Sequence, residues 1–486
     1  MSSDVVGLIV DGQRVSTGKT FLVVDPATEE IIAHVADADE GATAAALGAA
    51  EKAFPAWSHT PPGERKAAVL RYTALLERDR GRLAELLVRE AGKPYDTADY
   101  EVTCLIGSLR YFIEEADRLR QDVIVDPTGR FLHYTLRQPL GVVVGLLAWN
   151  YPLLNLGYKL GPVLASGCTA VIKPSRHTPL ATLAAGELLA EAGIPDGVVN
   201  VIACEDRAAA DLLLKSPVPA MVTMIGSTAS GVKLMETAAT TIKHFSLELG
   251  GNAPAIVYPD VDLADAAVRI ANLKFSNCGQ VCVAPNRALV HADVYAEFLA
   301  LAAERAAAFK LGTGKAEGPL MGPFMTSEAR EKALAVVAEA VAEGARVVCG
   351  GSKPEQPARG YFIEPTILGD VRPEMKIAQQ ELFAPLLPVI KYTDDDDVIA
   401  MANDTPYGLA AYVFTTDLST ALRAGERLEA GSICINEPHF GVHLPHAGLK
   451  QSGVGLDISK SSRTATSRRP QSPQRGRPIL ATGVSP

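Results

Sequence analysis

Leu140-Gly-Val-Val-Val-Gly-Leu-Leu-Ala148 is a continuous apolar run rich in β-branched residues, and it decides the fold class of this chain. An unbroken run of this kind, without polar alternation, is typical of a strand that is buried on both faces of a parallel sheet. The next residues, 152–164, have the pattern of a helix, and Thr169-Ala-Val-Ile-Lys173 has that of a second strand. The stretch therefore predicts a strand–helix–strand unit of an α/β protein.

The alternation of strands and helices continues beyond this unit. A helix over 180–192, a strand over 198–202, a helix near Ala208 and a strand over 220–225 extend the series. Together they predict a doubly wound, mostly parallel sheet with crossover helices on its faces.

The rest of the chain divides into a helical N-terminal part and a second α/β part. Up to about Arg120 the chain is predicted to be mainly helical, because apolar residues recur at helical spacings from Glu64 to Glu90. A second α/β series begins after Gly251. Its predicted elements are three helices and one strand, over 262–271, 294–309, 327–343 and 345–349. A chain of 486 residues is too long for one compact core, so two or three domains are expected.

Composition and charge limit the partners of the protein. The net charge of −10 disfavours non-specific binding to nucleic acid, which needs a basic surface. The most apolar run, 140–149, is about half the length that spans a bilayer, and the N-terminus lacks the pattern of a signal peptide. Seven cysteines without a CxxC pair or a zinc pattern indicate reduced thiols. We therefore expect a cytoplasmic protein without nucleic-acid or membrane partners.

No pattern in the sequence predicts a bound metal. The acidic run 394–397 is interpreted as a solvated helix start rather than a metal site. His439, His443 and His446 cluster in one loop but do not have a recognised metal spacing. We interpret this loop as part of the mouth of a substrate pocket.

Two residues carry the chemistry that the sequence predicts. Cys282 lies in a loop-like stretch, Phe275-Ser-Asn-Cys-Gly-Gln-Val-Cys-Val-Ala-Pro-Asn-Arg287, and Glu248 precedes a double-glycine turn in Ser246-Leu-Glu-Leu-Gly-Gly-Asn-Ala-Pro254. A thiol can attack a carbonyl and hold an acyl group, and a carboxylate can activate the water that releases it. Cys278, four residues earlier, is interpreted as a small packed residue rather than a redox partner of Cys282.

These motifs and their separation resemble those of the NAD(P)-dependent aldehyde dehydrogenase superfamily. Trp149-Asn-Tyr-Pro152 and Lys173-Pro-Ser-Arg176, which follow two predicted strands, resemble further signatures of that family. The resemblance extends from about residue 10 to Asp457. It implies an enzyme that oxidises an aldehyde to a carboxylic acid with NAD(P)+ through a thiohemiacetal and a thioester on Cys282. Water activated by Glu248 would hydrolyse the thioester.

The resemblance also implies roles for Asn150 and Lys159. The side-chain amide of Asn150 would form an oxyanion hole with the backbone N–H of Cys282, and Lys159 would lie near the site. An asparagine at a strand-to-helix turn can also be a simple helix cap, so the role of Asn150 depends on the accompanying motifs. The role of Lys159 rests on the resemblance alone.

A further group of residues is assigned to NAD or NADP by the resemblance. Gly226-Ser-Thr-Ala-Ser-Gly231 joins a predicted strand to a predicted helix, where backbone N–H groups suit a pyrophosphate, although most such strings are only turns. Glu381 would hold the nicotinamide ribose, and Phe383 would pack against the nicotinamide. The full set of cofactor residues is Trp149, Lys173, Ser175, Arg176, Gly226, Ser227, Glu381 and Phe383.

Two departures from the family pattern bear on the cofactor and on the substrate. Arg176 stands where NAD-preferring members usually carry a glutamate, and a guanidinium could pair with a 2′-phosphate, which favours NADP. Tyr158 stands where semialdehyde-specific members often carry an arginine, which disfavours a free-acid semialdehyde. The resemblance also implies a substrate pocket, whose residues are mostly apolar and suit a small or medium aldehyde. It consists of Tyr151, Leu154, Asn155, Tyr158, Val281, Val283 and Phe440.

The domain organisation is also expected from the resemblance. Residues 1–120 and 140–250 would form the NAD(P)-binding domain, 251–448 the catalytic domain, and 121–139 with 449–460 an oligomerisation or bridging element. Residues 461–486 have the composition of a disordered basic tail. This tail replaces the family's last strand, which completes a neighbouring subunit's sheet. The strand edge around Phe131–Leu136 would then lack a partner, so we expect a homo-oligomer, with a dimer favoured over a tetramer.

Two alternative functions are compatible with the motifs. In a CoA-acylating family member, CoA rather than water takes the acyl group, but such members often lack the carboxylate found here as Glu248. A family member that has lost turnover would be a binding or structural protein. The presence of Cys282, Glu248 and Asn150 together favours the hydrolytic enzyme.

Overall fold

The structure, a computed structural model, describes residues 5–205, 207–394, 396–456, 467–468 and 474–475. The strands of the first half are β1 (Leu8–Val10), β2 (Gln13–Val15), β3 (Thr20–Val24), β4 (Ile31–Ala36), β5 (Val123–Ile124), β6 (Phe131–Tyr134), β7 (Gln138–Pro139), β8 (Val142–Leu146), β9 (Thr169–Lys173), β10 (Val199–Val201), β11 (Pro219–Ile225) and β12 (His244–Glu248). The helices of this half are α1 (Glu40–His59), α2 (Pro62–Arg78), α3 (Arg80–Ala91), α4 (Tyr95–Glu115), α5 (Pro152–Ser166), α6 (Leu180–Glu191), α7 (Arg207–Lys215) and α8 (Thr228–Ala238).

The second half continues with an equally mixed set of elements. Its strands are β13 (Pro254–Val257), β14 (Arg287–His291), β15 (Lys310–Leu311), β16 (Leu320–Met321), β17 (Arg346–Cys349), β18 (Thr366–Val371), β19 (Leu386–Tyr392), β20 (Tyr407–Gly408), β21 (Ala410–Phe414), β22 (Ser432–Ile435), β23 (Leu449–Lys450), β24 (Gly453–Val454), β25 (Ser467–Arg468) and β26 (Gln474–Arg475). Its helices are α9 (Leu263–Phe275), α10 (Tyr295–Ala307), α11 (Ser327–Ala342), α12 (Lys376–Gln379), α13 (Val398–Asn403) and α14 (Leu418–Arg427). Short 3₁₀ turns lie at Ala116–Arg118, Ser276–Gly279 and Ala292–Val294.

The first sheet confirms the predicted doubly wound architecture. Its strand order is β2-β1-β10-β9-β8-β11-β12-β24, and the five strands from β10 to β12 are parallel. The chain winds outward from β8 through β9 to β10, and then returns to the other side of β8 as β11 and β12. The winding direction therefore switches between β8 and β11, and the crevice beyond the carboxyl ends of the strands at such a point is where open α/β sheets bind ligands.

The second sheet has the order β17-β18-β19-β14-β13-β21-β22. Its strands are parallel except β17, which runs antiparallel to β18 at one edge. Each sheet has its own apolar core: one is built from residues between Leu8 and Leu249, and the other from residues between Ala253 and Cys434. The chain passes from the first core to the second at residues 250–252, shortly after Glu248. The end of β12 therefore lies beside the second core.

The prediction of a mainly helical N-terminus is wrong for residues 8–36, which form β1 to β4. Strands β1 and β2 form a hairpin around Asp11 and Gly12, whose φ angles are 50° and 73°. An Asp-Gly pair accepts positive φ at both central positions and so favours a two-residue hairpin turn, a signal that outweighs the weak apolar pattern of such short strands. The helical stretch 64–90 is divided into α2 and α3, with Asp79 between them.

Residues 449–456 join the two sheets. β23 pairs with β20 beside the second sheet, and β24 pairs with β12 at the edge of the first, with Gly453 opposite Glu248. In the predicted basic tail, β25 pairs with β7 and β26 with β6. These pairs give the 131–139 edge an antiparallel partner within the same chain, which differs from the unpaired edge expected. Backbone pairing explains the difference, because it needs no apolar side chains. The remaining tail residues lie outside the described residues.

Within the described residues, no helix is both long and apolar enough to cross a membrane.

Candidate active site

A cavity of about 420 Å³ lies where the carboxyl ends of the first sheet meet the second core. Cys282, Glu248 and Asn150 all line it. The seven residues that the sequence assigns to a substrate pocket line the same cavity. These are Tyr151, Leu154, Asn155, Tyr158, Val281, Val283 and Phe440. The structure therefore brings the predicted nucleophile, base, amide and pocket residues together.

The loop that carries Cys282 has an unusual backbone. Asn277 and Cys278, in the 3₁₀ turn that precedes it, have φ angles of 49° and 57°, which residues with a Cβ rarely adopt. Gly279 has a φ of 68°, and a Cβ there would overlap the backbone of Ala384. Strained residues cluster at functional sites because the surrounding structure must hold them. Cys278 itself is fully buried in the second core, as predicted.

The thiol of Cys282 has a perturbed acidity. Burial, followed by the negative charges of Glu248 and Glu381, raises the pKa of Cys282 well above that of an ordinary thiol. The backbone N–H groups of Cys282 and Val283 act in the opposite direction. The thiol is therefore protonated at neutral pH in this structure, and a nucleophilic thiolate requires a proton acceptor or a nearby positive charge.

Glu248 is the last residue of β12, and the double glycine that follows it allows close packing. A Cβ on Gly251 would clash with the backbone oxygen of Cys282, and a Cβ on Gly250 would clash with the carboxylate of Glu381. The two glycines thus let the end of β12 approach both the nucleophile loop and Glu381. The carboxylate of Glu248 is buried and has its Oε1 3.9 Å from Nε2 of His446.

Asn150 lies between β8 and α5 and is bonded to the nucleophile loop through both its backbone and its side chain. Its Nδ2 donates to the carbonyl of Gln280 at 3.1 Å, and its own carbonyl accepts from Nδ2 of Asn277 at 3.2 Å. A side-chain amide has two N–H donors, so one remains for a ligand oxygen in the cavity. Lys159, on α5 next to Tyr158, is buried but is not among the described residues that line the cavity.

Most of the predicted cofactor residues lie at the carboxyl ends of β8, β9 and β11. Lys173 ends β9, Ser175 and Arg176 follow it, and Gly226 follows β11. Ser227 caps α8, with its Oγ accepting from the N–H of Ser230 at 3.2 Å. The N–H of Gly226 donates to the carbonyl of Glu248 at 3.0 Å, which links this turn to the catalytic strand. The N-terminus of an eleven-residue helix at the switch point suits a phosphate group.

Glu381 and Phe383 approach this region from the second half of the chain. Oε1 of Glu381 accepts from the N–H of Gly251 at 3.0 Å, and burial raises the pKa of Glu381 to about 7. Phe383 has a φ of 47° and packs edge-on against Trp149, with ring centroids 5.5 Å apart. Both residues thus lie near the carboxyl end of the first sheet. The assignment of one dinucleotide to residues from both halves of the chain requires this.

Arg176 has a partner that the sequence did not indicate. Its guanidinium forms an ion pair with Glu205, which follows β10, the strand next to β9. About half of each side chain is exposed, at 51% and 49%. The predicted 2′-phosphate contact of Arg176 therefore competes with Glu205.

Sequence reasoning missed several residues of the cavity. His446 was interpreted only as part of a loop at its mouth, but it lines the cavity beside Glu248 and packs edge-on against Phe440. The signal available in the sequence was that His446 follows His443 by three residues in the same loop. The other lining residues that were missed are Asp96, Thr97, Tyr100, Ile225, Leu273 and Ser276.

Comparisons with known proteins agree with this geometry. The model of the aldehyde dehydrogenase family matches residues 14–468. The mitochondrial succinate-semialdehyde dehydrogenase of Arabidopsis thaliana is 40% identical over 443 residues, which cover 91% of this chain and 84% of that protein. The NADP(+) succinate-semialdehyde dehydrogenase GabD of Escherichia coli is 38% identical, with 92% of each chain covered.

Solved structures show the same relationship. The NAD+ complex of an aldehyde dehydrogenase from Bacillus cereus superimposes with a TM-score of 0.94 and 33% identity, covering 97% of each chain. The match therefore includes both sheets and the cavity between them. On the family model, the relatives and the fold together, this chain belongs to the aldehyde dehydrogenase family.

Proposed function

We propose that this aldehyde dehydrogenase oxidises an aldehyde to a carboxylic acid through a covalent intermediate on Cys282, with Glu248 as the base of hydrolysis. The observation that carries the proposal is that Cys282, Glu248 and Asn150 line one cavity. The Cys282 thiol gives its proton to water, its sulfur adds to the carbonyl carbon, and the aldehyde oxygen becomes an alkoxide that the amide of Asn150 stabilises. Loss of hydride from that carbon leaves a thioester, and a bound NAD(P)+ would be the hydride acceptor.

Hydrolysis of the thioester needs a base, which is the role of Glu248. Its carboxylate takes a proton from water as the water oxygen attacks the thioester carbon, and the thiolate of Cys282 leaves. His446, at 3.9 Å, lies where it can balance the charge of this carboxylate. The retained carboxylate supports hydrolysis over transfer of the acyl group to CoA. The three intact groups argue against a silent family member.

The cofactor residues fit a dinucleotide without a metal. The turn at Gly226 and Ser227 would hold the pyrophosphate through the N–H of Ser227, because the N–H of Gly226 donates to Glu248. Lys173 and Ser175 would face the adenosine half. Glu381 and Phe383 would hold the nicotinamide half, near Cys282. Among the described residues, no group of three or more His, Cys, Asp or Glu side chains could hold a metal ion.

The lining of the cavity supports an uncharged aldehyde as the substrate. None of the described lining residues is a lysine or an arginine, whereas two, Asp96 and Glu248, are carboxylic acids. A substrate carboxylate would lack a fixed cationic partner, since any positive charge on His446 is shared with Glu248. Tyrosine hydroxyls at 100, 151 and 158 instead offer hydrogen bonds to a polar, neutral group. This chain would therefore differ in substrate from the relatives named for succinate semialdehyde.

An aldehyde panel tests both the activity and the substrate class. Butanal and 4-hydroxybutanal should be oxidised with kcat/KM at least about tenfold higher than succinate semialdehyde, because a charged group without a partner costs roughly 1.5–3 kcal/mol. Tyr158→Arg should lower the ratio of kcat/KM for butanal to kcat/KM for succinate semialdehyde by about tenfold. Tyr158→Phe is the control, because it adds no charge. Absorbance of the reduced nicotinamide measures each rate. Succinate semialdehyde as the best wild-type substrate would contradict the assignment of substrate class, and no oxidation of any aldehyde would contradict the function.

We also propose a preference for NADP+ through Arg176. A half-exposed ion pair such as Arg176–Glu205 is worth at most about 1 kcal/mol, whereas a charge-assisted contact to a phosphate is worth roughly 1.5–3 kcal/mol. The 2′-phosphate should therefore displace Glu205. Arg176→Glu should raise the relative use of NAD+ by about ten- to a hundredfold. Glu205→Gln, the matched control, should favour NADP+ further. Equal wild-type kinetics with both cofactors would refute the role of Arg176.

We infer a homo-oligomer, with a dimer favoured, because the apolar residues Val123 and Val125, in and beside the edge strand β5, are exposed. The two cores support an NAD(P)-binding unit before residue 250 and a catalytic unit after it. Seven free cysteines suit the reducing cytoplasm, whereas three of the relatives are named as mitochondrial.

A further inference from the structure

A buried ion pair lies behind Asn150, outside the cavity. Nζ of Lys93 is 2.7 Å from Oε1 of Glu101, and both side chains are 0% exposed. Neither residue is among the described residues that line the cavity. Buried charges are costly, and a buried pair is often no more stabilising than apolar side chains of similar volume. Stability alone therefore does not explain why this pair is buried.

Lys93 contacts the backbone and the ring next to the candidate oxyanion hole. Its Nζ donates to the carbonyl of Asn150 at 2.5 Å and lies 3.7 Å from the centroid of the Tyr151 ring. The same carbonyl accepts from Asn277 in the nucleophile loop. A charged donor to a buried carbonyl is among the stronger hydrogen bonds, so it restricts the peptide at 150–151.

Glu101 holds the backbone a few residues further along the chain, in the first turn of α5. Its Oε2 accepts from the N–H of Leu153 at 3.0 Å and from that of Leu154 at 3.4 Å. These groups belong to the first turn of α5, whose N-cap, Tyr151, makes no side-chain cap. The carboxylate of Glu101 thus supplies the missing cap, and its charge suits the positive end of the helix.

The charges of this cluster balance one another. Burial lowers the pKa of Lys93 and raises that of Glu101, and the opposite charge of each partner counteracts the shift in the other. Glu90, a second buried carboxyl group nearby, has its pKa raised to about 8 by burial, so it is mainly uncharged at neutral pH. A balanced pair produces little net field in the cavity. Its effect on the reaction would therefore come from the position it gives to Asn150.

We propose that Lys93 and Glu101 are positioning residues: Lys93 fixes the carbonyl of Asn150, Glu101 fixes the helix turn that follows it, and together they hold the Asn150 amide in place for the alkoxide. The inference rests on the proposed function, in which Asn150 stabilises that alkoxide. A displacement of a catalytic donor by about 1 Å can lower the rate by up to a hundredfold. Lys93 and Glu101, together called the clamp, would therefore act on the chemical step rather than on substrate binding.

A double-mutant cycle with Asn150 tests the proposal. In the full-length protein, Lys93→Met should lower the acylation rate by about ten- to a hundredfold with KM for the aldehyde within about twofold. In an Asn150→Ala background, which itself should lose about 10²–10³-fold, the same change should cost less than about twofold. Stopped-flow absorbance of the first turnover measures the acylation rate in all four proteins.

Arg287→Met is the matched control for removing a buried cation. Arg287 is 1% exposed and donates to the carbonyls of Met401 and Ala402, at 3.1 Å and 2.6 Å, in the second half of the chain. Any loss of rate in this variant should be the same in both Asn150 backgrounds. If Lys93→Met fails to fold because Glu101 is left unpaired, Lys93→Met with Glu101→Gln removes both charges and is measured in the same cycle.

The outcomes separate this inference from the proposed function. A loss that disappears in the Asn150→Ala background supports the clamp. Equal losses in both backgrounds, or no loss from either Lys93 variant, overturn the clamp while leaving the function intact. An Asn150→Ala enzyme with the wild-type acylation rate would instead overturn the role of Asn150 in the proposed mechanism.

Discussion

Cys282→Ala is expected to abolish aldehyde oxidation, with a loss of about 10⁴-fold or more, while leaving the fold intact. No other side chain can replace a covalent nucleophile at this position in the cavity, so the first bond to the aldehyde carbon cannot form. Cys282→Ser should be almost as inactive, because a hydroxyl at its free pKa is a far poorer nucleophile than a thiol. Steady-state rates and circular dichroism of the two variants check the expectation.

Cys278→Ala is the matched control for this prediction. Cys278 lies in the same loop but is fully buried and is not among the described residues that line the cavity, so it should be neither reactive nor needed for the chemistry. We expect Cys278→Ala to lower stability modestly and to keep turnover. Wild-type turnover in Cys282→Ala, or loss of turnover in Cys278→Ala alone, would show that the nucleophile is misassigned.

Glu248→Gln should slow release of the acyl group far more than its formation. Without the carboxylate, water attacks the thioester without a base, and general-base catalysis typically contributes about 10²–10⁴-fold. The variant should therefore show a burst of reduced nicotinamide near one per active site, followed by slow turnover. Rapid-mixing absorbance measures the burst and the slow phase in one experiment.

Asp96→Asn provides a control carboxylate from the same cavity. It should change the preference among aldehydes but produce no burst, because it takes no part in hydrolysis. An unchanged steady-state rate in Glu248→Gln would remove Glu248 from the mechanism. A burst in Asp96→Asn would show that loss of either acid slows hydrolysis, and that Glu248 has no special role.

Much of the fold could be predicted because its signals are local. The strands around Val142 and Thr169 are continuous apolar runs, and both lie within the first sheet, where helices such as α1 and α5 pack on the strands and help to bury their side chains. The pocket residues were assigned by the family resemblance. Most of them adjoin Asn150 or Cys282 along the chain, whereas Phe440 lies in a separate loop.

The features that escaped prediction depend on contacts between distant parts of the chain. Lys93 and Glu101 belong to no motif singled out in the sequence, and their burial and contacts with residues 150–153 appear only in the fold. Glu205 meets Arg176 because β9 and β10 are neighbours in the sheet, although the residues are 29 positions apart. The positive φ of Phe383 also has no sequence signal, because nothing but its surroundings makes that conformation stable.

The covalent mechanism is tested most directly by trapping its intermediate. Glu248→Gln is mixed with butanal and NADP+ or NAD+, quenched in acid after the burst, digested and analysed by peptide mass spectrometry. We expect one butanoyl group per chain, on the peptide that contains Cys282, in an amount equal to the reduced nicotinamide formed. An acyl group on another cysteine, or reduced nicotinamide formed without any acylated peptide, would contradict the mechanism.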